Sequence, residues 1–193
     1  MKKIFVLIYL LVELFFLGSF SPGECGESPQ TDCYRNSDCM INSIKYYGPR
    51  CVIKDLSEDR ELRMFVLHKI GEGHSKWLEI ANLLRPGTEN ARTHELVMAV
   101  GEALENKPQN VFSISTKNYE IIEICSGADI NDIRYGSLDL AISATEKRIK
   151  IVKSIKEKTE DNKITEQCDE CIKGLEKAKD SIKKFYSENE RKD

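Results

Sequence analysis

The stretch ITEQCDECIKGLEKAKDSIKKF, residues 164–185, decides the fold of this chain. Its Ile164, Cys168, Cys171, Leu175, Ala178, Ile182 and Phe185 recur at alternating intervals of four and three. That spacing is the a/d seam of a helix that packs against another helix. Leu138, Ile142, Thr145, Ile149 and Val152 repeat it upstream. Between the two stripes, Lys156 to Lys163 is polar and contains Asp161-Asn162, residues suited to capping a helix N-terminus. The pattern predicts an antiparallel helical hairpin over 138–187, opened by Ser137 as N-cap. Cys168 and Cys171 then both lie on the buried seam. Three residues apart on one helix, their Cβ atoms stand about 5–6 Å from each other, whereas a disulfide wants ~3.8 Å. Each is expected to reach another element, with Cys125 a partner for one of them.

Working back from the hairpin, residues 56–125 read as helix pairs joined by Gly/Pro turns. Asp55-Leu-Ser-Glu58 has the form of a capping box, and Leu62, Phe65, Val66 and Ile70 follow at helical spacing. Gly71-Glu-Gly-His-Ser75 is a turn, with Ser75 the expected cap of a helix carrying Trp77, Ile80, Ala81 and Leu84. That helix stops at Arg85-Pro86-Gly87. A longer helix from Thr88 or Glu89 to Glu105 is apolar nearly all round at Leu96–Val100, the mark of a central buried helix. Pro108 suits the first position of a short helix through Val111, Phe112 and Ile114. Residues 117–125 fit helix or strand equally.

Residues 24–55 form a cysteine-rich segment. Asp32 to Tyr47 reads as a short helix with Met40, Ile41 and Ile44 on one side, ended by Gly48-Pro49. Residues 24–31 read as a lead-in. Ahead of them, Met1-Lys2-Lys3 is basic and Ile4–Phe20 almost wholly apolar, with small residues at Ser19, Ser21 and Gly23. This is the layout of an export signal cleaved after Gly23. Removing 1–23 takes the net charge from −3 to about −4 and leaves 170 residues, enough for one domain over 24–193. Neither value favours nucleic acid or an anionic membrane as partner. Residues 141–193 hold 14 Lys/Arg and 12 Asp/Glu in alternation, which reads as a solvated helical surface.

Seven cysteines in an exported chain imply bridges. Cys25, beside the cleavage site, is the natural odd one, unpaired or lipid-anchored. Cys33, Cys39 and Cys51 would then face Cys125, Cys168 and Cys171. Two sets of three cannot close internally, so an odd number of bridges should cross from the N-terminal segment to the C-terminal half.

No motif for catalysis, cofactor or metal emerges. Cys168-x-x-Cys171 lacks the second ligand pair a zinc site needs. His68, His74 and His94 do not share a ligand spacing, and His94 and Glu95 point to different helix faces. Glu102 is an acid in an apolar helix, and Asp129 and Asp132 share a loop without the glycine and closing glutamate of a calcium loop. No catalytic residue, cofactor or metal ligand is therefore assigned.

Residues 77–111, with Trp77-Leu78, the Arg85-Pro86-Gly87 turn and Ala103-Leu104 ahead of Pro108, resemble uncharacterised exported helical proteins of Gram-negative bacteria. The resemblance implies a helical, periplasmic or secreted protein and carries no activity.

The expected fold is thus all-α: a disulfide-braced bundle of short helix pairs followed by a long antiparallel hairpin. The expected function is that of a non-enzymatic binding protein of the bacterial envelope with another protein as partner. An immunity or inhibitor protein against an exported toxin is its most concrete form. An envelope assembly factor docking through the hairpin is the alternative, and an enzyme of unfamiliar type the third. No membrane insertion is expected once the signal is removed.

Overall fold

The computed structural model describes residues 25, 31–114, 118–127 and 137–189. Residues 1–23, read above as an export signal, most of the lead-in, and Asp129 and Asp132 lie outside the described residues. Among those described there are nine α-helices and two short 3₁₀ turns, with no strand. None of these helices is long and apolar enough to cross a membrane.

The hairpin forms as its pattern requires. Helices α8 (Leu138–Lys156) and α9 (Asn162–Asn189) pack on each other along the seam. Ser137 Oγ accepts from the Leu140 N–H at 3.3 Å, and Asp161 Oδ1 accepts from the Lys163 and Ile164 N–H groups at 2.8 and 3.3 Å. Each cap satisfies donors that a helix start leaves without an intrahelical partner. Cys168, Cys171, Leu175, Ala178 and Ile182 are buried, as are Thr145, Ile149 and Val152 across from them. Ion pairs Lys156–Asp169 and Glu146–Lys179 set the antiparallel register. Phe185 departs from the seam and is 62% exposed. The register brings it level with Leu140, near the start of α8, which is 58% exposed.

Residues Ile121–Gly127 form α7, lying against both α9 and the central helix α5 (Ala91–Asn106). Of residues 117–125, which fitted strand or helix, 121–125 are helix: the Glu123 and Ile124 N–H groups bond back to Glu120 O, and their neighbours are helices with no strand edge to offer. Ile121, Ile124 and Cys125 are buried. Gly174 permits the close approach of α9, because a Cβ there would come 2.7 Å from Ile122 Cγ1.

Toward the N-terminus stand α1 (Ser37–Tyr47), α2 (Pro49–Glu58), α3 (Arg60–Gly71) and α4 (Ser75–Leu84), with α6 (Pro108–Ile114) following α5. A 3₁₀ turn, Thr31–Arg35, precedes α1, and Asn36 Oδ1 caps α1 through the Asp38 and Cys39 N–H groups. Gly48-Pro49 ends α1 and at once starts α2, with Pro49 in the first turn. Two cap expectations are corrected here. The Asp55–Glu58 box opens no helix, because α2 already runs through it; Asp55 instead accepts from the Tyr34 hydroxyl at 2.6 Å. The helix starts after Asp59, whose carboxylate accepts from the Leu62 N–H at 2.9 Å. Likewise Ser75 is the first residue of α4 rather than its cap; His74 holds the cap position and its carbonyl receives the Trp77 and Leu78 N–H groups.

The end of α4 is tied to α5 and α7 around Arg85. Its guanidinium donates to Thr93 Oγ1 at 3.2 Å and Glu123 Oε1 at 2.9 Å, and lies 5.5 Å from the Tyr119 ring centre. Tyr119 in turn donates to Ala81 O at 3.1 Å. Gly87 in the following turn sits directly on the start of α2, where any Cβ would fall 2.5 Å from the Pro49 carbonyl carbon. As the composition of Leu96–Val100 predicts, α5 is central: it contacts α3, α4, α6, α7 and α8. One contiguous apolar cluster joins Tyr34 and Met40 to Leu175.

The disulfide expectation is overturned. Cys25 is not the odd cysteine: it bonds Cys51, while Cys33 bonds Cys39 and Cys125 bonds Cys171, with Cα–Cα distances of 5.4, 5.4 and 5.5 Å. The free thiol is Cys168, which is buried. Once Cys25 joins the N-terminal group, that group is even and closes on itself. The C-terminal group of three keeps one thiol over, and no bridge crosses between the halves. The Cys125–Cys171 bridge, 46 residues apart in sequence, is worth about 4 kcal/mol on the chain-entropy account.

Candidate functional site

A surface groove of about 510 Å³ lies between the α5–α6 joint and the last turns of α8. The joint is built by local rules. Lys107 closes α5 through its N–H to Ala103 O at 2.8 Å, and its carbonyl receives the Asn110 and Val111 N–H groups that open α6. Asn106 and Asn110 donate side-chain N–H bonds to Gly71 O (2.8 Å) and Gly73 O (2.9 Å), so the α3–α4 turn holds the joint from behind. The opposite wall is one face of α8. Lys150, Ile151, Ser154, Ile155 and Lys158 lie at successive one-turn spacing. Lys158, just past the helix, is held by its N–H to Ile155 O at 3.0 Å.

The two walls are clamped beside the groove by Glu105. It accepts from Lys147 Nζ at 2.7 Å and from Nε of the buried Arg148 at 3.0 Å. Partial burial pushes its carboxyl up, but the bonds from Lys147 and Arg148 and their charges outweigh that and hold it below the usual carboxylate value.

The groove has an apolar floor, Pro108, Ile151 and the buried Ile155, under a rim of three cations. Lys107, Lys150 and Lys158 are all exposed, and among the described residues none of them pairs with a carboxylate. Their neighbours Lys147 and Lys156 are taken, by Glu105 and Asp169. The arrangement can bind an anion that also has apolar surface to cover. A cavity of this size falls in the ordinary range for ligand sites, roughly 300–1,000 Å³.

A second groove of about 460 Å³ runs between α3 and α5. It brings together His68, His94, Glu95 and Glu102 from the residues singled out in the sequence, over Met64, Leu67 and Met98. His94 and Glu95, read as facing apart, both line it. Its charges are largely committed within the fold: Glu95 meets Arg63 at 3.5 Å and Arg92 at 2.7 Å, and His68 lies 3.5 Å from Glu72. His74 stands apart, exposed at the start of α4. Among the described residues no cluster of three or more His, Cys, Asp or Glu could hold a metal ion.

Burial pushes the Cys168 thiol up to about 11, with Asp169 adding to the shift and Lys156 opposing it. A thiol so held is a poor nucleophile at neutral pH. Sequence reading missed Lys107, Lys150 and Lys158 because Lys107 lies far from the other two in the chain and those two sit within an evenly mixed charge pattern. The one available signal was the one-turn spacing of Lys150, Ser154 and Lys158.

No family model, curated protein or solved structure matches the chain at a significant level.

Proposed function

We propose that this chain is an exported, non-enzymatic binding protein of the bacterial envelope that recognises another protein. The observation that carries this is the lysine groove: three cations with no acid partner among the described residues, around an apolar floor, on a scaffold braced by three disulfides. The disulfides suit an oxidising compartment, and the basic-then-apolar start over 1–23 has the form of an export signal. The resemblance of residues 77–111 to exported helical proteins of Gram-negative bacteria points the same way. The concrete version is an immunity or inhibitor protein that neutralises an exported hydrolytic toxin.

The test is a native pull-down from the producing cell's envelope with the chain from Glu24, bridges intact, beside its K107E/K150E/K158E variant. One stoichiometric partner that the variant fails to retain is the expected result. If that partner is a hydrolase silenced on binding, the inhibitor version holds. Absence of any partner, or equal capture by the variant, removes the reading.

The alternative, an assembly factor that docks a partner through the hairpin, is favoured by one observation: an entire wall of the groove belongs to the hairpin, α8 and its closing turn. A partner of structural rather than hydrolytic type would select it.

A further inference from the structure

We infer that the groove takes an extended peptide segment of acidic–x–apolar–x–acidic pattern, supplied by the protein partner; this rests on the binding-protein reading above. The spacing of the walls argues for it. Lys150 and Lys158 are eight residues apart along α8 and its closing turn, which at a helical rise of 1.5 Å per residue is ~12 Å. Ile151 and Ile155 lie between them. An extended chain advances about 3.3 Å per residue and alternates its side chains. Residues i, i+2 and i+4 therefore share one face and span ~13 Å. Carboxylates at i and i+4 meet Lys150 and Lys158 while the residue at i+2 covers the isoleucines. Lys107 approaches from the opposite wall, and Gln109 and Ser154 offer side-chain hydrogen bonds to the segment's backbone.

A single small anion is the weaker candidate on energetic grounds. Each exposed ion pair contributes only about 0–1 kcal/mol, so useful affinity needs several carboxylates together with buried apolar area. The lysines of the groove are also exposed, which suits a strand-like segment lying across the surface.

The probe is a fluorescein-labelled pentapeptide, acetylated and amidated, reading glutamate-serine-leucine-serine-glutamate, titrated against the disulfide-intact chain from Glu24. The control peptide has the same composition with its two glutamates adjacent. Expected are saturable binding of the first peptide and affinity weaker by about tenfold for the control. A further loss of about tenfold is expected in K150E/K158E, as is weakening with added salt. K150Q/K158Q, which keeps the side-chain stems, should lose part of the affinity. Circular dichroism and disulfide mapping check that each variant is folded.

Equal binding of the two peptides, or none of either, overturns the pattern. If the envelope partner is still captured in a lysine-dependent way, the binding-protein reading survives that result; if no partner is captured either, both fall. Tight binding to phosphatidylglycerol vesicles in place of peptide overturns the proposal in favour of a lipid surface.

Discussion

Nε of the buried Arg148 on α8 donates to Glu105 Oε1 on α5 at 3.0 Å, while Lys147 Nζ holds the other carboxylate oxygen at 2.7 Å. The pair joins the central helix to the hairpin at the edge of the lysine groove. Removing the carboxylate leaves Arg148 buried with one charged partner fewer, and losing a partner of a buried charge is among the larger single-site costs. Because Glu105 itself is partly exposed, Glu105→Gln should lower unfolding free energy by about 2 kcal/mol. Urea unfolding followed by circular dichroism measures this.

The same carboxylate predicts a pH dependence. Its value in the folded protein is lowered from 4.5, so its contribution is present above the unfolded value and disappears as pH falls through the folded one. Stability should therefore drop more steeply below about pH 4.5 in the native protein than in Glu105→Gln. Parallel acid titrations giving superimposable curves would show that the clamp contributes nothing.

Cys168 should resist alkylation. With its thiol buried and pushed up to about 11, iodoacetamide at pH 7.5 should label it only at the rate of unfolding, and fast once denaturant is added. Peptide mapping without reduction should return Cys25–Cys51, Cys33–Cys39 and Cys125–Cys171. Rapid native labelling, or a Cys125–Cys168 peptide as the main species, would contradict the arrangement.

Gly174→Ala sets two effects of opposite sign against each other. Helix propensity alone would stabilise α9 by up to ~1 kcal/mol. The added Cβ meets Ile122 Cγ1 at 2.7 Å, and overpacking typically costs about 1–3 kcal/mol. Net destabilisation is expected, relieved in part by Ile122→Ala. A more stable Gly174→Ala protein would mean that α7 and α9 do not approach this closely.

Asp59→Ala should cost about 1 kcal/mol through loss of the α3 cap. Glu58→Ala should be near neutral, because Glu58 is exposed at the last position of α2 and opens no helix. A reversed ranking would restore the capping box at 55–58.

The hairpin was legible because its evidence is repetitive: a 4-3 apolar period over two long segments, with a capping residue at each start, leaves no competing structure. The start of α3 was misread because Asp55 and Asp59 both offer cap chemistry. What decided between them was Pro49, which had already launched a helix running through the first. The helix at 121–127 was ambiguous because seven residues show no period, and its state follows from the neighbours it packs on.

What the sequence alone determined is what periodicity, caps and breakers encode locally: an all-α chain, a buried central helix from Thr88 or Glu89 to Glu105, which the structure places at Ala91–Asn106, and an antiparallel hairpin over 138–187. The tertiary structure decided the cysteine partners and the groove. Parity of seven cysteines obliges one to stay over, but which one depends on where α7 lies against α9. Lys107 and Lys158 likewise become neighbours only when the α5–α6 joint packs on α8, since long-range contact is set by the summed fit of many side chains that no local pattern records.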